Sequence, residues 1–215
     1  MKTTAITIAT ILFGIFSATA QTTPAKGVAI AIVYDTSGSM GDPVANAKGV
    51  PEAKFKIANA SFLTIVDKIN AFAKTNPVEA TLITFGGVQV PFAKWDSAPF
   101  ASWISKFNRP YGSTPLGEAI ETAGKSLAGS SMAKKHIVIL TDGMSNGSLK
   151  PVDALKGVKK SANPPQLYVV AFDVQSKDFD PLKKEGAAVL SASGKTLSTD
   201  LANLFGEKIL LEAEE

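Results

Sequence analysis

Asp35, Ser37 and Ser39 alternate along the stretch Asp35-Thr36-Ser37-Gly38-Ser39, which follows directly on an apolar run over residues 28–34. On an extended backbone alternate positions point the same way, so a carboxylate and two hydroxyls can face one point. Oxygen donors without sulfur or imidazole suit a hard divalent cation such as Mg2+. A Ser/Gly turn capping the next helix is the other common use of such residues, and the pentapeptide alone leaves both open.

Two further oxygen-bearing segments lie downstream. Tyr111-Gly112-Ser113-Thr114-Pro115-Leu116-Gly117-Glu118 is a polar turn running into a helix. Ile137-Val138-Ile139-Leu140-Thr141-Asp142-Gly143 is an apolar strand ending in a carboxylate and a glycine. In open α/β sheets, ligands gather outside the carboxyl ends of the strands, where strand order reverses. Asp35 and Asp142 both stand at such ends, so the three segments can converge on one ion.

In these residues the chain resembles the von Willebrand factor A-type domain, the fold of integrin inserted domains. That family's metal-ion-dependent adhesion site reads D-x-S-x-S, then a lone Thr, then a lone Asp. The sequence matches it at Asp35, Ser37, Ser39, Thr114 and Asp142, and the resemblance runs over residues 27–210. It implies that Ser37, Ser39 and Thr114 meet the metal directly or through water, while Asp35 and Asp142 bind it or hold its waters. The implied ion is Mg2+, with Mn2+ or Ca2+ as substitutes, and the implied partner is a protein that supplies an Asp or Glu. Two carboxylates balance the charge of a divalent ion, and an octahedral ion keeps waters and an open position besides. The resemblance also makes the last helix, expected over 197–211, an element that partner binding can shift.

The elements that must position these residues follow from periodicity. Continuous apolar or alternating runs predict strands over 27–34, 80–85, 88–95, 136–140, 166–172 and 187–192. The second and third flank Gly86-Gly87 and read as a hairpin, which makes the third an antiparallel edge strand. Apolar residues at 3–4 spacing predict helices over 52–74, 116–127, 152–161 and 197–211, with Pro51 placed to start the first. Strands alternating with helices imply an α/β fold: a doubly wound, mostly parallel six-stranded sheet with helices on both faces.

Two stretches depart from the family pattern. Residues 40–51 form a loop about ten residues longer than the family uses, readable as a plain surface insertion or as part of the binding face. Residues 92–111 carry Phe92, Trp95, Phe100, Trp103, Phe107 and Tyr111, which are either core contacts of an edge helix or a partner-binding patch.

Met1-Lys2, an apolar stretch over 5–16 and Ala18-Thr19-Ala20 read as a signal peptide cut after Ala20, which places the mature protein in the periplasm or outside the cell. The apolar stretch is short beside the ~20 residues of a membrane-spanning helix, so no membrane span is expected after cleavage. The expected organisation is signal peptide 1–20, linker 21–26, one domain over 27–211 and a tail over 212–215. The formal charge of +3 includes Lys2, and residues 1–20 hold no acid, so the mature chain carries +2. Its Lys and Arg residues are scattered, which argues against a nucleic-acid partner. There is no cysteine, hence no disulfide framework or thiolate metal site.

An enzyme is not expected, and no residue is assigned a catalytic role. An aspartyl phosphatase needs a second acid two residues after its Asp nucleophile, and Ser37 stands there. The single histidine, His136, begins a strand, and neither a P-loop lysine motif nor a G-x-G-x-x-G run occurs. The expectation is an exported, metal-dependent protein-binding module. A Mg2+-dependent hydrolase and a metal-free scaffold with a vestigial site are the alternatives.

Overall fold

The computed structural model describes residues 25–143 and 145–213. The expected signal peptide and residues 21–24 of the expected linker lie outside the described residues, as do Glu214 and Glu215. In chain order the strands are β1 (Ala25–Tyr34), β2 (Pro43–Ala45), β3 (Pro51–Ala53), β4 (Val78–Thr84), β5 (Gly87–Lys94), β6 (Met132–Thr141), β7 (Gln166–Phe172) and β8 (Ala188–Ala192). The helices are α1 (Lys54–Phe72), α2 (Ser97–Lys106), α3 (Leu116–Ala128), α4 (Pro151–Val158), α5 (Asp180–Lys184) and α6 (Leu197–Asn203).

Six strands form one sheet in the order β5-β4-β1-β6-β7-β8. Only the β4–β5 pair is antiparallel; β1–β4, β1–β6, β6–β7 and β7–β8 are parallel. This is the doubly wound sheet with one antiparallel edge strand that the sequence predicts. The chain passes from β1 to β4 on one side and later to β6 on the other, so the order reverses at β1. A crevice therefore opens beyond the carboxyl end of β1.

Burial on both faces explains why β1, β6 and β7 read as unbroken apolar runs. Val28, Ile30, Ile32 and Tyr34 of β1 face a core shared with α1, α2 and α6. Ala29, Ala31 and Val33 face a second core built with α3 and α4. No helix among the described residues is long and apolar enough to cross a membrane.

Three expectations are corrected. The first helix starts at Lys54, because Pro51–Ala53 pair antiparallel with Pro43–Ala45 as a two-stranded ribbon. Pro51 is therefore a strand residue in an isolated ribbon, where a missing N–H costs little. The long loop is thus a folded hairpin. Asn46 closes its turn by accepting from the N–H groups of Lys48 (2.9 Å) and Val50 (3.1 Å) through Oδ1. Second, β1 begins at Ala25, inside the expected linker. Third, the last helix keeps its α pattern only to Asn203 and then widens to a π turn over Leu204–Ile209. There Leu210 N–H donates to Phe205 O at 2.9 Å.

The aromatic stretch is chiefly core. Trp103 and Phe107 stack at 5.0 Å and meet the Tyr34 ring edge-on at 5.3 and 5.6 Å. Phe100 is buried, and Tyr111 is the one large aromatic among the described residues left well exposed, at 72%.

Candidate metal centre

The site begins with strand register. Tyr34 of β1 lies opposite Leu140 of β6, and the ladder runs one residue further, with Asp35 N–H donating to Leu140 O at 3.0 Å. The residues that follow these strands therefore leave the sheet side by side. Asp35 Oδ2 accepts from Thr141 Oγ1 at 2.6 Å and from Asp142 N–H at 3.3 Å. Its Oδ1 accepts from Ser37 N–H at 2.7 Å, which turns the loop so that the serines face the crevice.

The hydroxyls continue the network. Ser37 Oγ and Ser39 Oγ are 3.2 Å apart, and Ser39 Oγ donates to Asp142 Oδ1 at 2.7 Å. Four of the five expected ligand residues, Asp35, Ser37, Ser39 and Asp142, thus form one connected cluster. Thr114 stands on the loop before α3. A Cβ built on Gly143 would lie 3.9 Å from Thr114 Oγ1, so this loop passes close to the residue after Asp142. Tyr111 N–H donates to Thr36 O (2.8 Å) and Gly38 N–H to Gly112 O (3.3 Å), which ties the first two loops together.

Four residues that the sequence did not single out hold this arrangement. Thr141 is one, through its bond to Asp35. Asn146 is another: its Oδ1 accepts from Thr114 N–H at 2.7 Å, and its own N–H donates to Thr114 O at 3.0 Å. The third is Lys54, buried at the start of α1, with Nζ 2.9 Å from Asp142 Oδ2. The fourth, Asp173 at the end of β7, has its Oδ2 3.9 Å from the same Nζ. Thr141 adjoins Asp142 in sequence; the other contacts join distant segments and have no local signature. The charge count expected from two carboxylates is corrected accordingly, because an ammonium lies against one of them.

The donor set fits a hard divalent ion. No group of three His, Cys, Asp or Glu side chains converges among the described residues, so an ion held here would have to take hydroxyl ligands as well. The Thr114 hydroxyl has no hydrogen-bond partner among the described residues, although Thr114 is buried. Burial pushes the Asp35 carboxyl above its usual range, and the charge of Asp142 adds to this against the bonds from Ser37 and Thr141. A carboxylate so held gains from a nearby cation. No imidazole stands beside the cluster among the described residues. His136 lies six residues before Asp142 on β6, about 20 Å away at ~3.3 Å per residue.

Comparisons with known proteins agree with this fold. Among curated proteins none matches the sequence. Solved structures do match in fold. The vWF domain of the type V pili tip protein Mfa5 from Porphyromonas gingivalis is 14% identical, with a TM-score of 0.70, over 88% of this chain and 97% of that one. The pilus adhesin SpaC from Lactobacillus rhamnosus GG is 17% identical, with a TM-score of 0.68, over 86% of this chain. The PilB minor pilin from Streptococcus sanguinis is 15% identical, with a TM-score of 0.65, over 86% of this chain. This chain spans only 31% of the SpaC chain and 61% of the PilB chain. At such identities the likeness is one of fold. The model of the von Willebrand factor type A domain, however, matches residues 29–192 directly, a span that contains all five candidate ligands, and the chain belongs to that family.

Proposed function

We propose that this chain is an exported, metal-dependent protein-binding module. Asp35, Ser37, Ser39, Thr114 and Asp142 would hold a divalent cation, Mg2+ first, with Mn2+ or Ca2+ as substitutes. When bound, the ion offers a coordination position to an Asp or Glu carboxylate of a protein partner. The observation that carries this reading is the cluster itself: carboxylates and hydroxyls from three loops face one crevice with no imidazole beside them. Ser39 and Asp142 brace one another, Asn146 fixes the loop that carries Thr114, and Thr141 orients Asp35.

The surface beside the cluster offers room for a partner. A groove of about 320 Å3 opens next to Thr36 and Ser113, lined also by Thr84, Gln89, Trp103 and Tyr111. It lies where residues flanking a partner's carboxylate would rest, with Tyr111 exposed at its edge. The fold neighbours named as a pilus adhesin and a pilus tip protein support an adhesive role outside the cytoplasm.

The test is capture of partners by the mature protein in Mg2+, followed by chelator. Chelator should release the captured partner, and Thr114→Ala should weaken capture without loss of stability. A partner that stays bound in excess chelator and tolerates Thr114→Ala would show that binding runs through another surface.

A further inference from the structure

Lys54 is unusual for its place. It is the first residue of α1, yet only 8% exposed, and its ammonium points back into the site, 2.9 Å from Asp142 Oδ2. Since Asp142 Oδ1 accepts from Ser39, both oxygens of this carboxylate are engaged within the protein.

The long hairpin sets this position. Lys54 N–H donates to Asp42 O at 3.0 Å, and the β3 strand ends one residue earlier, at Ala53. The hairpin is held in turn against the β8–α6 loop, where a Cβ on Gly194 would come within 2.5 Å of Ala45 O. Asp173, the only described non-glycine residue with positive φ (57°), presents its carboxylate to Lys54 from the other side. Its side chain is 42% exposed and 3.9 Å away, so water screens this second contact more than the first.

We propose that Lys54 is a built-in competitor for the metal: its ammonium satisfies Asp142 in the ion's absence and lowers the affinity of the site for a divalent cation. The inference rests on the metal-binding reading above. Asp35 and Asp142 alone carry a charge of −2, and Lys54 brings the sum of these three groups to −1, with the more exposed Asp173 offsetting part of the ammonium from outside the ligand set. A divalent ion must therefore enter against an ammonium that shares one of its carboxylates. Repulsion between a dication and an ammonium a few ångströms apart in a partly dry site is large. The same count leaves the loaded cluster one charge positive, which favours a carboxylate as the incoming group.

The experiment is calorimetric titration of the mature protein with Mg2+ alone, in wild type, Lys54→Met and Lys54→Gln. Methionine removes the charge and keeps most of the length of the side chain; glutamine removes the charge but keeps a donor for Asp142. Both variants should bind Mg2+ roughly tenfold or more tightly than wild type. Lys54→Met should also melt at a lower temperature without metal, because Asp142 loses its partner. If Lys54→Met fails to fold, Lys54→Gln carries the affinity test. Wild type that binds Mg2+ with an affinity unchanged or stronger than that of the folded variants would overturn the role of Lys54 and leave the metal site standing. Absence of Mg2+, Mn2+ and Ca2+ binding in all of the proteins would overturn both readings.

Discussion

Acidification should destabilise this protein through His136. The side chain is 2% exposed, near the start of β6 between Ile30 of β1 and Gln166 of β7, with its ring 5.8 Å from that of Tyr168. Neither ring nitrogen has a hydrogen-bond partner among the described residues. Burial lowers its pKa from 6.5 to about 4, and the charge of Lys134 pushes the same way. The unfolded chain therefore takes up a proton near pH 6.5 that the folded chain refuses until about pH 4. Stability is full above pH 6.5 and falls as pH drops toward 4. At ~1.36 kcal/mol per unit, the loss is about 3 kcal/mol. Urea midpoints at pH 7.5, 6, 5 and 4.5 measure it, provided that the slope with urea stays constant. His136→Phe should lie within ~1.5 kcal/mol of wild type at pH 7.5, as a near-isosteric apolar swap. It should also lose the His136 share of the acid sensitivity. Asp35 acts in the opposite sense, since its raised pKa costs the metal-free protein stability as pH rises; subtracting the two curves removes that contribution. Parallel curves for wild type and variant would refute the reasoning.

Three further outcomes are expected. Asn146→Ala removes the acceptor of Thr114 N–H; it should cost about 1 kcal/mol in urea unfolding and weaken Mg2+ binding in calorimetry, although Asn146 is not a ligand. Gly117→Ala places a Cβ 2.0 Å from Leu149 O, a backbone atom that cannot swing away, and should cost about 1–3 kcal/mol in the same urea assay. The exported protein should begin at Gln21 by intact mass, and a mass that includes residues 1–20 would contradict the expected cleavage.

The fold was legible where a buried face imposes a period. β1, β6 and β7 are covered on both sides and read as apolar runs, and the stripe Ile57, Ala58, Phe62, Ile65 and Ile69 marks α1. The hairpin over 43–53 was not legible. It has two prolines and no alternating apolar face, and it is closed by the Asn46 side chain and by Gly49 at φ +77°. The π turn was hidden for a related reason: Leu204, Phe205 and Ile209 keep a spacing that an α-helix would also bury. In the candidate site, the oxygens were readable because each stands beside a strand end or a helix start. Lys54 and Asn146 were not, because their contacts cross 88 and 32 residues of chain. Such pairs are fixed by the meeting of strand ends, and neither local sequence carries a trace of it.

The central claim, that these five residues hold a divalent cation, is tested most directly by titrating Mg2+ into wild type, Thr114→Ala and Asp35→Ala, with melting temperatures read alongside. Thr114→Ala removes a neutral hydroxyl that has no partner among the described residues, so its effect on the metal is not confounded by lost contacts. Asp35→Ala removes a charge but also takes away the acceptor of Ser37 N–H, Thr141 Oγ1 and Asp142 N–H. Wild type should bind at one site and gain about 2.7 kcal/mol at a hundredfold excess over the dissociation constant. For a domain of this size that is about 5–10 °C in melting temperature. Thr114→Ala should bind more weakly, and Asp35→Ala should fold but show no gain. Equal Mg2+ binding by wild type and Asp35→Ala would contradict the account.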